Sequence, residues 1–226
     1  MPINIVFENV DLIVLNKPFG LQVEPDKNGH PSLLQEAIEH YQIKDDKKLF
    51  VVNRIDRPTS GLVIFAKKKK AYLDLQKQWA ENLVFKSYLV VVNGNLALEE
   101  DDLRHFVVKD LKNYKALVYD EYINSDCKEA ILKYKILQKT DTQSLLEVVL
   151  KTGRYHQIRA QLAHIGHPVW NDVLYGAPKV IEEVCIGLHS YKNAFKLTST
   201  QKEREFSSVP FGHIAFKEFD LQKIIN

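Results

Sequence analysis

Asp56 stands in Val51-Val52-Asn53-Arg54-Ile55-Asp56-Arg57-Pro58-Thr59-Ser60-Gly61-Leu62-Val63-Ile64-Phe65, an apolar run broken by charges and a turn, then resumed. Runs of Val, Ile and Phe bounded by turn residues read as buried strands. The carboxylate is therefore expected at the lip of a sheet, with its backbone held. If the chain stays extended as far as Asp56, Arg54 shares its face and Arg57 does not, because strand side chains two apart point the same way. Guanidinium groups beside a carboxylate keep it ionised at neutral pH, and the combination suits a phosphate-bearing ligand. A solvated surface pair followed by an ordinary turn has the same composition.

A second cluster strengthens the chemical reading. Lys151-Thr152-Gly153-Arg154-Tyr155-His156-Gln157-Ile158-Arg159 follows directly on the apolar run Leu145-Leu146-Glu147-Val148-Val149-Leu150. Polar and cationic groups are thus concentrated at a strand end, in a turn that opens a helix. His156 and Arg159, three apart, share a face of that helix, and Arg154 lies at or just before its start. Backbone donors and these side chains make a phosphate site; the alternative is a solvated helix terminus.

The elements that must hold these residues can be read along the chain. Residues 3–7 and 11–16 read as strands around a turn at Asn9-Val10, followed by the break Lys17-Pro18-Phe19-Gly20. Ser32 with Gln35 forms a capping box for a helix carrying Leu34, Ala37, Ile38 and Tyr41. Strands are expected at 49–53 and 62–66, and a helix over 69–83 with Tyr72, Leu75, Trp79 and Leu83 inward. Residues 84–92 read as a buried strand with Lys86 and Tyr88 in it. The region 95–127 reads as a long excursion with short strands, and Glu99-Glu100-Asp101-Asp102 as a loop. Strands at 129–139 and 144–150 precede a helix over 155–165, with Ile158, Leu162 and Ile165 inward and Gly166 as its stop. Strands in runs with few helices between them predict an α+β fold, a mixed and mostly antiparallel sheet flanked by a few helices. The expectation is one domain over residues 1–226.

Composition sets the outer bounds. The 226 residues are 45% apolar and 27% charged, with a net charge of +2. That fits a globular chain with a core of useful size. Cys127 and Cys185 form no metal or disulfide pattern, so a reducing cytoplasm is the simplest home. No apolar run reaches the length of a membrane span, and the N-terminal residues do not form a signal peptide. The run Lys67-Lys68-Lys69-Lys70 reads either as a solvated face or as part of a ligand site.

The motifs resemble those of one family. Asn53-Arg54-Ile55-Asp56-Arg57-Pro58-Thr59-Ser60-Gly61-Leu62 resembles the His-Arg-Leu-Asp-x-x-Thr-Ser-Gly-Leu signature of RluA-type RNA pseudouridine synthases. Thr152 to Arg159 is similar to that family's other signature. Asn16-Lys17-Pro18-Phe19-Gly20 resembles its opening motif, and Gly166-His167-Pro168 with Asn171-Asp172-Val173-Leu174-Tyr175-Gly176 its continuation. The likeness runs from about residue 5 to residue 212 and includes no S4-type RNA-binding domain.

The resemblance implies isomerisation of a uridine within ribosomal or transfer RNA: the base leaves its sugar at N1, turns and rejoins through C5, with no cofactor or metal. The partner it implies is RNA, with no DNA and no membrane expected; a cytoplasmic location follows from the cysteine usage, and a monomer is the default. By position, Asp56 would be the catalytic carboxylate, acting on ribose or base. Arg159 would be its partner cation. Tyr88 would stack on the base and is a candidate for moving the C5 proton. Arg54 would fill the space that the extruded base leaves. Arg57, Arg154, His156, Gln157, Lys17 and Lys67 complete the expected RNA contacts. Asn53 departs from the family's usual His, and Ala160-Gln161 from an apolar-His pair. Two rivals stand beside this reading. One is a non-catalytic RNA-binding protein of the same fold. The other is a metal hydrolase using His156, His164 and His167, in which Gly166 and Pro168 interrupt the helix that would aim the ligands.

Overall fold

The computed structural model describes residues 3–27, 29–43 and 49–225. The chain divides into two compact units. The first runs to Phe85 and adds His189–Val209; the second holds Lys86–Leu188 and the segment from Pro210 onward.

In the first unit, strands β1 (Ile5–Glu8) and β2 (Leu12–Lys17) form the hairpin expected around Asn9-Val10. The Asn9 side chain closes it by accepting from the amides of Asp11 and Leu12, 2.8 and 2.9 Å away. β2 pairs antiparallel with β4 (Ser60–Ala66), and β3 (Phe50–Val51) takes the other edge of β4 at Phe65 and Ala66. Further along that edge, β10 (Leu188–Lys196) pairs parallel with β4 at Ser60 and Gly61, and β11 (Glu203–Ser207) pairs with β10. The Ser60 hydroxyl and His189 Nδ1 lie 2.8 Å apart, and His189 Nε2 lies 2.7 Å from the Ser208 carbonyl oxygen. His189 therefore donates through Nε2 and accepts from Ser60.

The two-residue period of a strand explains why β2 and β4 are apolar throughout. Leu12, Val14, Leu62, Ile64 and Ala66 pack with Ala71 and Leu75 of helix α2 (Lys69–Ala80). The alternate residues Ile13, Leu15, Val63 and Phe65 pack with Leu33 and Ala37 of helix α1 (Leu33–His40). Both faces are covered, so neither can be polar. The Ser32 capping box forms: its hydroxyl oxygen accepts from the Gln35 amide at 3.3 Å and donates to Gln35 Oε1 at 3.0 Å.

In the second unit, β5 (Phe85–Asn93), β9 (Gln143–Leu150), β8 (Lys128–Lys139), β6 (Glu100–Asp110) and β7 (Lys115–Tyr119) pair in that order, all antiparallel. Helix α3 (Gln157–His164) lays Ile158 and Leu162 on this sheet, against Val90, Leu132, Tyr134, Leu146 and Val148. A short helix α4 (Gln222–Ile225) closes the described chain. No helix among the described residues is long and apolar enough to cross a membrane.

The mixed, mostly antiparallel architecture is as expected, with four corrections. The region 95–127 contains an 11-residue strand, β6, rather than short strands only. The acidic run enters that strand instead of a loop, and Glu99, Glu100 and Asp102 pair with Lys139, Lys133 and Lys151. α2 ends at Ala80, which leaves Leu83 exposed outside it. α3 begins at Gln157, two residues later than read, because Thr152–His156 is a turn.

Candidate functional site

In the first unit the chain leaves the ladder early, and side chains take over. The Val52 amide donates to the Ile64 carbonyl at 2.9 Å. The Asn53 amide group then continues the pairing, accepting from the Ile64 amide at 2.8 Å and donating to the Leu62 carbonyl at 3.4 Å. The usual family His is thus replaced by a side chain that mimics backbone. The last strand residue before Asp56 is Val51, and residues 52–56 lie outside any regular strand. The Thr59 amide closes a turn onto the Asp56 carbonyl at 3.0 Å, and the Asp56 side chain is half-buried.

This turn is fastened to the Lys17–Leu21 segment. The Gly20 amide donates to the Arg57 carbonyl at 2.8 Å, and Arg57 Nε donates to the Gly20 carbonyl at 3.0 Å. Lys17 was expected to touch RNA; instead it is wholly buried, its Nζ donating to the carbonyls of Pro18, Leu21 and Arg57 at 2.9, 2.6 and 3.3 Å. Burial pushes its pKa down to about 7, and the nearby Asp56 carboxylate opposes the fall. Three carbonyl acceptors match the three N–H bonds of the charged form. Lys17 therefore shapes the Asp56 turn from beneath.

Arg54 is exposed and pairs with Glu24 at 3.0 Å, and Arg57 is exposed. Lys67 is tied to the Glu8 carboxylate, and Lys68 pairs with Asp11 at 3.0 Å. Half of the basic run thus fastens the first hairpin.

In the second unit the Thr152–Arg159 motif folds around Gln157. Its Oε1 accepts from the Arg154 amide at 2.9 Å and the Thr152 hydroxyl at 2.8 Å, and its Nε2 donates to the Ile131 carbonyl at 3.2 Å. Gln157 is 3% exposed, so it organises the turn rather than contacting RNA as expected. His156 stands at the N-cap of α3 in a left-handed conformation, φ +50°. Arg154 is exposed, its Nε donating to the Glu129 carbonyl at 2.9 Å.

Arg159 is buried and held by the Asp172 carboxylate through two bonds of 2.7 and 2.9 Å. Arg159 Nη1 lies 3.1 Å from His156 Nε2. A guanidinium only donates, so Nε2 accepts and the His156 proton sits on Nδ1, 3.0 Å from the Tyr175 hydroxyl. That hydroxyl also accepts from the Ala116 amide at 2.7 Å, and the Tyr155 ring stacks on His156 with centroids 3.9 Å apart. Asp172 and Tyr175 were not singled out by residue chemistry. The only sequence signal was their place in the Asn171–Gly176 motif. Tyr88 is half-buried on β5, against the core cluster of this unit.

The histidines of the metal reading do not share one partner set. His156 faces Tyr175 and Arg159, His164 faces Asp120 at 2.8 Å, and His167 Nδ1 faces the Asn93 carbonyl at 3.1 Å. His105, Asp120 and His164 do bring their ligand atoms within 4.8 Å of one another. Gln161 Nε2, however, donates to His105 Nδ1 at 2.9 Å and to the Ala130 carbonyl at 3.1 Å. The His105 proton then sits on Nε2, facing Asp120, where a metal would need a lone pair.

The family profile of RNA pseudouridylate synthases matches residues 11–164, more than half of the 226. The chain belongs to this family. The RluA type is supported by a relative in Nitrosomonas europaea titled ribosomal large subunit pseudouridine synthase D, 34% identical over 178 residues, 78% of this chain and 50% of that protein. A Mycoplasma pneumoniae protein titled an uncharacterized RNA pseudouridine synthase is 33% identical over 212 residues, 92% of this chain and 66% of that protein. The chain thus spans between half and two thirds of these relatives. The pseudouridylate synthase fold is seen in a solved human structure titled RNA Pseudouridylate Synthase Domain Containing 1, at TM-score 0.76 and 20% identity, covering 93% of this chain and 84% of that one.

Proposed function

We propose that this chain is an RNA pseudouridine synthase that isomerises a defined uridine, with Asp56 as its catalytic carboxylate. The observation that carries the reading is the family match over residues 11–164, a segment that contains Asp56, Tyr88 and Arg159. A stacked uracil cannot offer its glycosidic bond to a carboxylate, so it must leave the helix, at a cost of a few kcal/mol. Stacking on an aromatic ring returns about 1–3 kcal/mol per base, the part assigned to Tyr88. Arg159 supplies the partner cation and enters the reaction oriented in advance, since Asp172 and His156 fix its guanidinium. Preorganised charge needs no rearrangement as the reaction proceeds.

Asp56 acts on ribose or base from a turn fastened at Gly20, Lys17 and Thr59. Arg54 fills the vacated stack, and Arg57, Arg154, His156 and Lys67 contribute RNA contacts. The protein works on this reading as a cytoplasmic monomer, without cofactor or metal. Ribosomal RNA is the first substrate class to test, given the ribosomal large subunit enzyme among its relatives; transfer RNA is the second. The test is to map pseudouridine across total RNA from cells with and without the gene. One or a few sites should vanish and return on complementation. An identical map would sink the proposal.

A further inference from the structure

One cationic group in the second unit has no role in the site as described. Lys86, on β5, is 8% exposed, and no hydrogen bond or ion pair engages its ammonium among the described residues. Its Nζ faces the turn before α3, where a Cβ placed on Gly153 would lie only 3.9 Å away. The charge that acts on it is that of Arg154, which is also positive. Burial and that guanidinium both push the Lys86 pKa below the usual lysine range. The stem of Lys86 is buried while its ammonium stays open to solvent, and two cations side by side with no counter-charge among the described residues favour an anion from outside.

We propose that Lys86, Gly153 and Arg154 form a seat for one backbone phosphate of the RNA strand. Lysine offers a point charge with three donors, and arginine offers a planar pair. Gly153 carries no side chain that would obstruct an oxygen between them. The Arg154 amide is already taken by Gln157 Oε1 at 2.9 Å, so the seat rests on side chains and not on a helix terminus. Lys86 and Tyr88 are two apart on one strand and share a face, which places the phosphate on the same side of β5 as the ring assigned to the flipped base. The anion chemistry stands on the geometry alone. Its assignment to RNA rests on the proposed function.

The test uses the full chain and a fluorescent, uridine-containing RNA stem-loop, with affinity measured across salt concentrations. Lys86→Met should weaken binding roughly tenfold and reduce the slope of log K against log salt by about one unit, the signature of one lost phosphate contact. Lys86→Arg should restore both. Without RNA, Lys86→Met should melt no lower than the parent, since its ammonium pairs with nothing. Unchanged affinity and slope would overturn the inference, as would a lowered melting temperature with normal binding, which marks a structural lysine. A melting increase on adding inorganic phosphate that depends on Lys86, with RNA binding unaltered, would overturn the assignment to RNA. Isomerisation of the bound RNA is scored separately. Lys86-dependent binding without pseudouridine supports the phosphate seat while defeating the proposed reaction.

Discussion

Arg159 is 5% exposed, and the carboxylate that faces it, Asp172, is 2% exposed. Removing one partner of a buried pair leaves the other uncompensated, which costs more than the pair itself contributes. Asp172→Ala is therefore expected to lower the unfolding free energy by on the order of 3–5 kcal/mol, measured by urea denaturation. A loss below about 1 kcal/mol, the range of an exposed pair, would show that Arg159 is oriented by other groups. At this scale residue type was only partly informative. Lys17 and Gln157 look like surface contacts in a list of polar residues, yet both are buried and satisfied by backbone. Nothing in a lysine's identity reveals that three carbonyls will converge on it. Conversely, Asn53 reads as a lost histidine, but its amide reproduces the backbone pattern of a strand.

Among the elements, the parallel contact between β4 and β10 depends on one glycine. Gly61 has φ +110°, and a Cβ there would collide with the Ser190 backbone. Strain of about 1–3 kcal/mol and crowding of similar size predict that Gly61→Ala loses roughly 2–5 kcal/mol in a denaturant titration. A variant as stable as the parent would mean that β10 shifts freely. β2, β4, β8 and β9 were legible in the sequence because their apolar residues form runs or alternate. β6 was not. Its inward residues Leu103, His105 and Val107 are separated by Arg104 and Phe106 and preceded by charges at 100–102, of which Glu100 pairs with Lys133 on β8 and Asp102 with Lys151 just after β9. Cross-strand charge pairs look like loop polarity until the neighbouring strand is known. The start of α3 was misplaced because Gln157, and not a Ser, Thr, Asp or Asn cap, organises the preceding turn.

For the whole molecule, acid sensitivity is expected from His213, which burial lowers to a pKa of about 4 from 6.5. Between those two values the unfolded chain binds a proton that the folded chain excludes. Stability contributed by the neutral ring is complete above pH 6.5 and is lost as pH falls towards 4, about 3 kcal/mol in total. Chemical denaturation from pH 7 to 4 should show this slope, and His213→Gln should flatten it; an unchanged slope in the variant would assign the acid response elsewhere. The central claim concerns chemistry, and one comparison tests it most directly: pseudouridine formed in a substrate RNA by the purified parent and by Asp56→Asn, with binding measured alongside. Turnover by the parent, with at least a thousandfold loss in Asp56→Asn and binding retained, is the predicted result, in line with the ~8 kcal/mol or more that enzymes remove from a barrier. Parental turnover in Asp56→Asn would contradict it.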